Sequence, residues 1–314
     1  MPNHFADRLL VAIKEKGSPV CVGIDPVYAK LPAAIRSMPD FGDGNDADSA
    51  LDAIVEFCRI VIKTVAPIVP AIKINTAYFE RYYGEGLDCY ADLIQEAAAQ
   101  GLLVIGDCKR GDVGHSAELY AQATLANPDF SSLDHMVGPD AVTLHSFLGL
   151  DGIKPFLQVC RAQGKGVFAL VQTSNESAGE IQGFCNAEGL TLSEHLAKLV
   201  DGWSGDDGLV GTSGYSSLGA VVAPRNADLA KKLRALMPRS LFLIPGYGAQ
   251  GMTAADIAHC FKPDGTGAIV TASRSVIYAF DNPKYEQQAG TNWVTAVEAA
   301  CRDFAQDIAQ AVGL

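Results

Sequence analysis

The sequence predicts an α/β protein built as one closed (β/α)8 TIM barrel, with enlarged loops after the first and fifth strands. Three observations carry this reading. Eight short apolar, β-branched runs recur along the chain, and each ends in a polar or glycine-rich cluster. Each run is followed by a stretch with helical character, its apolar residues spaced near 3.6. The runs are nearly continuous in apolar residues, as strands must be when helices cover their sheet. Eight such repeats favour a closed barrel over an open doubly wound sheet. No Pro/Gly/Ser-rich linker and no shift of composition divides residues 1–314, so one domain is expected.

The eight predicted strands are 20–25, 71–75, 103–108, 141–145, 166–173, 218–223, 241–245 and 267–272. Between them Ala50, Ile54, Phe57 and Val61, then Leu93 and Ala97, then Leu192, Leu196 and Leu199 mark amphipathic helices. Ser49, Ser193, Asn226 and Thr253 suit helix N-caps or first turns. A last helix is predicted over 292–311, carried by Val294, Val297, Ala300, Phe304 and Ile308. The oversized loops are 30–48 and 175–191; the second opens Asn175-Glu176-Ser177-Ala178-Gly179, chemistry suited to a mobile lid. The Gly- and Asp-rich stretch 201–215 reads as a surface excursion rather than a site.

Composition narrows the function. Lys and Arg number 24 against 36 Asp and Glu, a formal charge of −12, and 48% of residues are hydrophobic. This excludes a disordered chain, and an acidic protein without a basic run lacks what a nucleic-acid backbone requires. The N-terminal Met1-Pro2-Asn3-His4-Phe5-Ala6-Asp7-Arg8 has no basic and apolar succession of a secretory signal. No apolar stretch reaches the ~18 residues of a membrane span. The eight cysteines form no CxxC pair and read as reduced thiols, so a cytoplasmic protein is expected.

In a barrel, functional groups gather at the C-terminal ends of strands. The first predicted strand stops at Gly23-Ile24-Asp25-Pro26, the second holds Lys73 and Asn75, and the third ends Asp107-Cys108-Lys109-Arg110-Gly111-Asp112. Residues i and i+2 share a strand face, so Lys73 goes with Asn75 and Asp107 with Lys109. A D-x-K at a strand mouth is commonly a solvated ion pair of little energetic weight. Here, however, Asp25, Lys73, Asp107 and Lys109 end three consecutive apolar strands, and Lys73 lies between Ile72 and Ile74. Charges so placed are costly unless paired, which points to chemistry.

A different function is expected near the end of the chain. Pro245-Gly246-Tyr247-Gly248-Ala249-Gln250-Gly251 follows a strand and precedes a helical pattern, and the next strand runs into Ser273-Arg274. Glycines there let backbone N–H groups approach an anion, and barrels often build phosphate sites from their last two loops. The heptapeptide also fits G-x-G-x-x-G, with Arg274 where a 2′-phosphate partner would stand. Only one more strand follows, which disfavours a dinucleotide fold. The six histidines show no HExxH or HxH spacing, and no Gly-x-Ser-x-Gly elbow occurs. His145, at the end of the fourth strand, is more simply a hydrogen-bonded structural residue.

Together, Cys21-Val-Gly-Ile-Asp25-Pro26, Lys73 with Ala77-Tyr78-Phe79-Glu80, Asp107-Cys-Lys109-Arg-Gly-Asp112, Val171-Gln-Thr-Ser174-Asn175 and Pro245-Gly-Tyr-Gly-Ala-Gln-Gly251 resemble the orotidine 5′-phosphate decarboxylase family in its longer bacterial form. The likeness runs in order from about residue 5 to residue 310. It implies a (β/α)8 barrel that decarboxylates orotidine 5′-phosphate to UMP, the last step of de novo pyrimidine biosynthesis, without metal or cofactor. It also implies a homodimer with interfacial sites, in which Lys73, Asp107 and Lys109 come from one subunit and Asp112 from its partner. Asp25, aided by Lys73, would hold ribose hydroxyls, with Asn75 on the same side. Ser174 would contact the pyrimidine, and Gly248, Gln250 and Arg274 the 5′-phosphate. Lys73, Asp107, Lys109 and Asp112 sum to zero charge, and with no imine or metal sink in view the Lys109 ammonium is the group to stabilise a C6 carbanion and protonate it.

The sequence departs from the family pattern at Cys108, expected to point away from the site, at His145-Ser146-Phe147, and at Ala223-Pro224-Arg225, where Arg225 competes with Arg274 for the phosphate. Two other readings stay open on sequence alone. One is a Mg²⁺-dependent sugar-phosphate decarboxylase or aldol-type enzyme of the same superfamily; the other is a non-catalytic nucleotide-binding regulator.

Overall fold

Eight parallel strands close on themselves in sequence order: β1 (Val20–Ile24), β2 (Ala71–Asn75), β3 (Leu103–Arg110), β4 (Ala141–Leu144), β5 (Gly166–Gln172), β6 (Ser216–Val222), β7 (Ser240–Ile244) and β8 (Ala268–Ala272). β8 pairs back onto β1 through Val20 and Val270. The computed structural model describes residues 4–38, 41, 46–247 and 253–314. A closed parallel barrel excludes the open dinucleotide sheet that the glycine heptapeptide allows. β3 runs two residues beyond its predicted end, to Arg110, and there its register against β4 shifts between Gly106 and Arg110.

The two faces of each strand meet different partners. Val22, Ile24, Ile72, Ile74, Val104 and Cys108 point outward and pack with helical Phe57, Val61 and Leu93. Cys21, Ala71, Leu103, Ile105, Leu243 and Ile269 fill the barrel interior. Alternation along the strands therefore carries Lys73 above Ala71, and Asp107 above Ile105, into the mouth of the barrel. Cys108 takes the opposite face, as expected, with its thiol 3.5 Å from the Thr143 carbonyl.

The opposite end of the barrel is sealed by the N-terminal helix Phe5–Lys16. Phe5 meets Phe168 edge-on at 5.9 Å, and a Cβ on Gly166 would lie 2.2 Å from the Phe5 ring, so only glycine fits at the start of β5. The stretch 201–215 is pinned at this closed end rather than free: Asp7 accepts from the N–H groups of Thr212 and Ser213, His4 Nε2 lies 2.7 Å from the Leu209 carbonyl, and Leu209 is fully buried. Arg234, also buried there, donates to the carbonyls of Cys260, Met237, Ser240 and Gly267.

Helix starts follow the capping expectations at all four positions. Asn226 and Thr253 are N-caps, whereas Asp46 and Thr191 cap the helices in which Ser49 and Ser193 occupy the first turn. The last helix is Trp293–Val312, capped by Asn292. Of the enlarged loops, the first carries a short helix Ala33–Arg36, and residues 39, 40 and 42–45 lie outside the described residues. The second carries a helix Ala178–Gln182 that is tied back to β5. The side chain of Gln182 accepts from the Thr173 N–H at 2.9 Å and from Gln172 Nε2 at 2.9 Å.

Candidate active site

Asp107 stands at the centre of the barrel mouth, 7% exposed, with both carboxylate oxygens engaged. Oδ2 accepts from Lys73 Nζ at 2.6 Å. Oδ1 accepts from Lys109 Nζ at 2.6 Å and from the Thr143 hydroxyl at 2.8 Å. Burial works against the charge of Asp107, but the fields of Lys73 and Lys109 outweigh it and hold the carboxyl far below the usual range. Burial likewise pulls on Lys73, and Asp107 and then Asp25 reverse it, raising Lys73 above an ordinary lysine. The three side chains are thus fixed in the sequence cation, anion, cation.

Lys109 reaches Asp107 by an unusual backbone. Its φ is +44°, in the left-handed region that non-glycine residues avoid, at a cost of roughly 1–2 kcal/mol. The Lys109 N–H donates to the Thr143 hydroxyl at 3.1 Å, which helps hold this turn. The side chain of Lys109 is 44% exposed, so its ammonium faces both Asp107 and the open mouth. Next to it, Arg110 pairs with Glu80 and lies over the Tyr120 ring.

Asp25 sits 3.9 Å from Lys73 Nζ. The Ser273 hydroxyl donates to its Oδ2, and the Tyr278 hydroxyl donates to its backbone carbonyl at 3.1 Å. Its Oδ1, the oxygen that faces Lys73, is buried with no hydrogen-bond partner among the described residues. Asn75 turns its Oδ1 to the N–H of Ala77 and so shapes the turn after β2. Burial, then Asp25, keep the proton on the half-buried Tyr78 hydroxyl, which also feels Arg274 and Lys73.

The other expected residues are more dispersed. Ser174 is exposed at the end of β5, before the helix Ala178–Gln182. Arg274 is exposed and opens the short helix Arg274–Ile277 after β8. Arg225, after β6, packs beside Gly179, where a Cβ would lie 3.1 Å from its guanidinium. Asp112 does not join the Asp107 cluster within the chain; its Oδ1 accepts from the N–H of Val113. His145 is exposed, and its N–H donates to the Arg110 carbonyl. Gly248 and Gln250 lie outside the described residues.

Sequence reasoning missed Thr143, Ser273 and Tyr278. Thr143 had a signal, being the one polar residue of Ala-Val-Thr-Leu. Ser273 and Tyr278 reach Asp25 across 248 and 253 residues, which no local pattern announces.

A buried carboxylate gripped by two lysines, at the C-terminal mouth of a parallel barrel and beside Asp25, is the fixed-charge site of a (β/α)8 enzyme. Comparison with known proteins makes the assignment specific. The chain belongs to the orotidine 5′-phosphate decarboxylase / HUMPS family, whose model matches residues 18–289. It is 37% identical over 299 residues to orotidine 5′-phosphate decarboxylase of Rhodopirellula baltica, covering 94% of this chain and 96% of that one. With the enzyme of that name from Caldicellulosiruptor bescii it shares 34% over 287 residues, 89% and 91% of the two chains. In three dimensions it matches a Streptomyces avermitilis protein provisionally named orotidine 5′-phosphate decarboxylase, with a TM-score of 0.78, 29% identity, and coverage of 100% and 98%.

Proposed function

We propose that Lys109 stabilises the carbanion and then protonates it as this enzyme converts orotidine 5′-phosphate to UMP. The chain is a carboxy-lyase of pyrimidine nucleotide biosynthesis. In the reaction the bond from C6 to the carboxylate breaks, CO₂ leaves, and the electron pair stays on C6 in an orbital orthogonal to the ring π system. The ammonium of Lys109 meets that charge and gives C6 a proton, and the resulting amine regains one from solvent. The observation that carries this reading is the line Lys73–Asp107–Lys109, with 2.6 Å contacts on both sides of one buried carboxylate. Fixed charge in a half-enclosed site needs no reorganisation when the carbanion forms.

The remaining roles follow from position. Asp25, with Lys73 behind it, takes the ribose hydroxyls. Ser174 addresses the pyrimidine, and Gly248, Gln250 and Arg274 the phosphate, whose binding energy at a distance from C6 drives closure of the loop after Ser174. Asp112 completes the charge-neutral tetrad from the partner subunit of a homodimer. Support for that assembly lies around Asp112 itself. Val113, Leu119, Phe147, Leu148 and Leu150 are exposed on the adjoining segments, Phe147 at 82%. Such a patch is what a monomer hides. Eight unpaired thiols suit a cytoplasmic location, and among the described residues no helix is long and apolar enough to cross a membrane.

The test is Lys109→Ala. Orotidine 5′-phosphate turnover, followed by its absorbance, is abolished while UMP still binds; turnover like that of the wild type rejects the assignment. EDTA leaves the wild-type rate unchanged, whereas a metal-dependent sugar-phosphate enzyme would stop.

A further inference from the structure

The turn that aims Lys109 has a second set of ties, made by the residue that follows it. Arg110 ends β3, and its guanidinium folds back to donate to the Cys108 carbonyl at 3.2 Å. The chain is thus bridged across Lys109, from the residue after it to the residue before it. The other arm of the guanidinium pairs with Glu80, and its central carbon lies 6.0 Å from the centroid of the Tyr120 ring. The Arg110 carbonyl accepts from the His145 N–H at 2.9 Å, which fixes the chain where it leaves the turn.

Glu80 is itself firmly anchored. It ends the single-turn helix Ala77–Glu80 that follows β2, and its N–H donates to the Thr76 carbonyl at 2.8 Å. The preceding Phe79 is fully buried, with its ring 6.0 Å from that of Tyr90. The Arg110–Glu80 pair therefore joins the end of β3, which carries Asp107 and Lys109, to the turn after β2, which carries Lys73. A planar fork of donors holds a carboxylate and a carbonyl at once, as an ammonium does not.

A lone, partly exposed ion pair contributes little to stability. This one stands where the backbone is strained, at the register break of β3 between Gly106 and Arg110 and beside the φ of +44° at Lys109. Such strain persists only where the surroundings over-determine it. The side chain of Arg110 meets Glu80, the Cys108 carbonyl and Tyr120 rather than the carboxylates of Asp107 and Asp25. Its influence on the chemistry runs through the backbone of Lys109.

We propose that Arg110, held by Glu80, is a positioning residue that locks the Lys109 turn and so keeps the Lys109 ammonium on Asp107. The proposal rests on the role given above to Lys109. Releasing the guanidinium lets the turn relax toward ordinary backbone angles and carries the ammonium away from Asp107. Binding of UMP, which needs no proton donor, is spared.

The test separates alignment from binding. For Arg110→Gln and Glu80→Gln, kcat and KM are measured on orotidine 5′-phosphate, and Kd on UMP. Arg110→Gln is expected to lower kcat about tenfold or more, with KM and the Kd of UMP within about twofold of wild type. Glu80→Gln keeps the guanidinium but removes its charged partner, and should lower kcat at least about threefold. The double variant should be no slower than Arg110→Gln, because both changes break one contact. A wild-type kcat in either single variant overturns the proposal. So does a loss of UMP affinity that matches the loss of kcat, since it means a contact with the nucleotide or a general structural role. If Arg110→Gln does not fold, Glu80→Gln decides the matter by the same comparison. Failure of the Lys109 reading looks different: Lys109→Ala itself would then turn over orotidine 5′-phosphate.

Discussion

The hydroxyl of Thr143 joins the two ends of the charged pair: it donates to Asp107 Oδ1 at 2.8 Å and accepts the backbone N–H of Lys109 at 3.1 Å. One side chain thereby orients the carboxylate and supports the left-handed turn that aims the lysine. Thr143→Val keeps the shape and removes both bonds, leaving a buried acceptor short of a donor and a strained turn without its tie. Steady-state kinetics should show kcat lowered by about tenfold or more with little change in KM, since the loss falls on alignment rather than on substrate contact. Thr143→Ser should recover most of the rate. A valine variant with normal kcat would show that the lysines alone fix Asp107.

For phosphate binding, Arg274 and Arg225 make opposite predictions. Arg274 is exposed after β8, on the side of Asp25 and Tyr78, whereas Arg225 lies against Gly179 of the short helix that follows β5. Arg274→Ala is expected to weaken UMP at least about tenfold and leave uridine unaffected, as befits a guanidinium–phosphate contact. Arg225→Ala should have the smaller effect on UMP. The reverse order in calorimetry would transfer the phosphate role to Arg225.

The proposal that two subunits share each site, Lys109 from one and Asp112 from the other, can be tested by complementation. Lys109→Ala and Asp112→Ala homodimers should each be nearly inactive. If the subunits exchange freely, an equal mixture yields half heterodimers, and each of these regains one intact site of two. Activity should therefore recover to about a quarter of wild type, as the symmetry of a two-fold dimer dictates. No recovery after verified exchange would place Asp112 in the same subunit as Lys109.

How far the sequence revealed this site depends on the range of the interactions. Lys73 and Asp107 were legible because apolar neighbours fix strand parity, and parity fixes which side chains enter the barrel mouth. Lys109 was assigned to the correct side by the same rule, yet the rule does not describe it: β3 loses register there and φ turns positive. Its direction comes from the bulge and from Thr143, neither of which a spacing of two encodes. The supports of Asp25 arrive from β8 and its following helix, so they depend on barrel closure rather than on local pattern. The stretch 201–215 looked like a free excursion because its anchors, His4 and Asp7, stand some two hundred residues away.

Lys165 offers a test of charge burial away from the site. It precedes β5 at the closed end of the barrel, is 6% exposed, and donates to the Gly138 carbonyl at 2.8 Å. Burial lowers its pKa from 10.5 to about 8; nearby Asp140 opposes the shift and Arg8 assists it. The folded protein therefore releases this proton near pH 8, while the unfolded chain keeps it to about pH 10.5. Between those values the unfolded state binds more protons, so this lysine makes stability rise with pH; below pH 8 it imposes a constant cost of up to about 3 kcal/mol. Lys165→Met removes that cost and forfeits one hydrogen bond of about 1 kcal/mol. Urea melts should show the variant more stable by about 2 kcal/mol at pH 7, with the gain shrinking by pH 9.5. A variant less stable at pH 7, or a gain that grows with pH, would mean that the ammonium is stabilised where it lies by Asp140 and the Gly138 carbonyl.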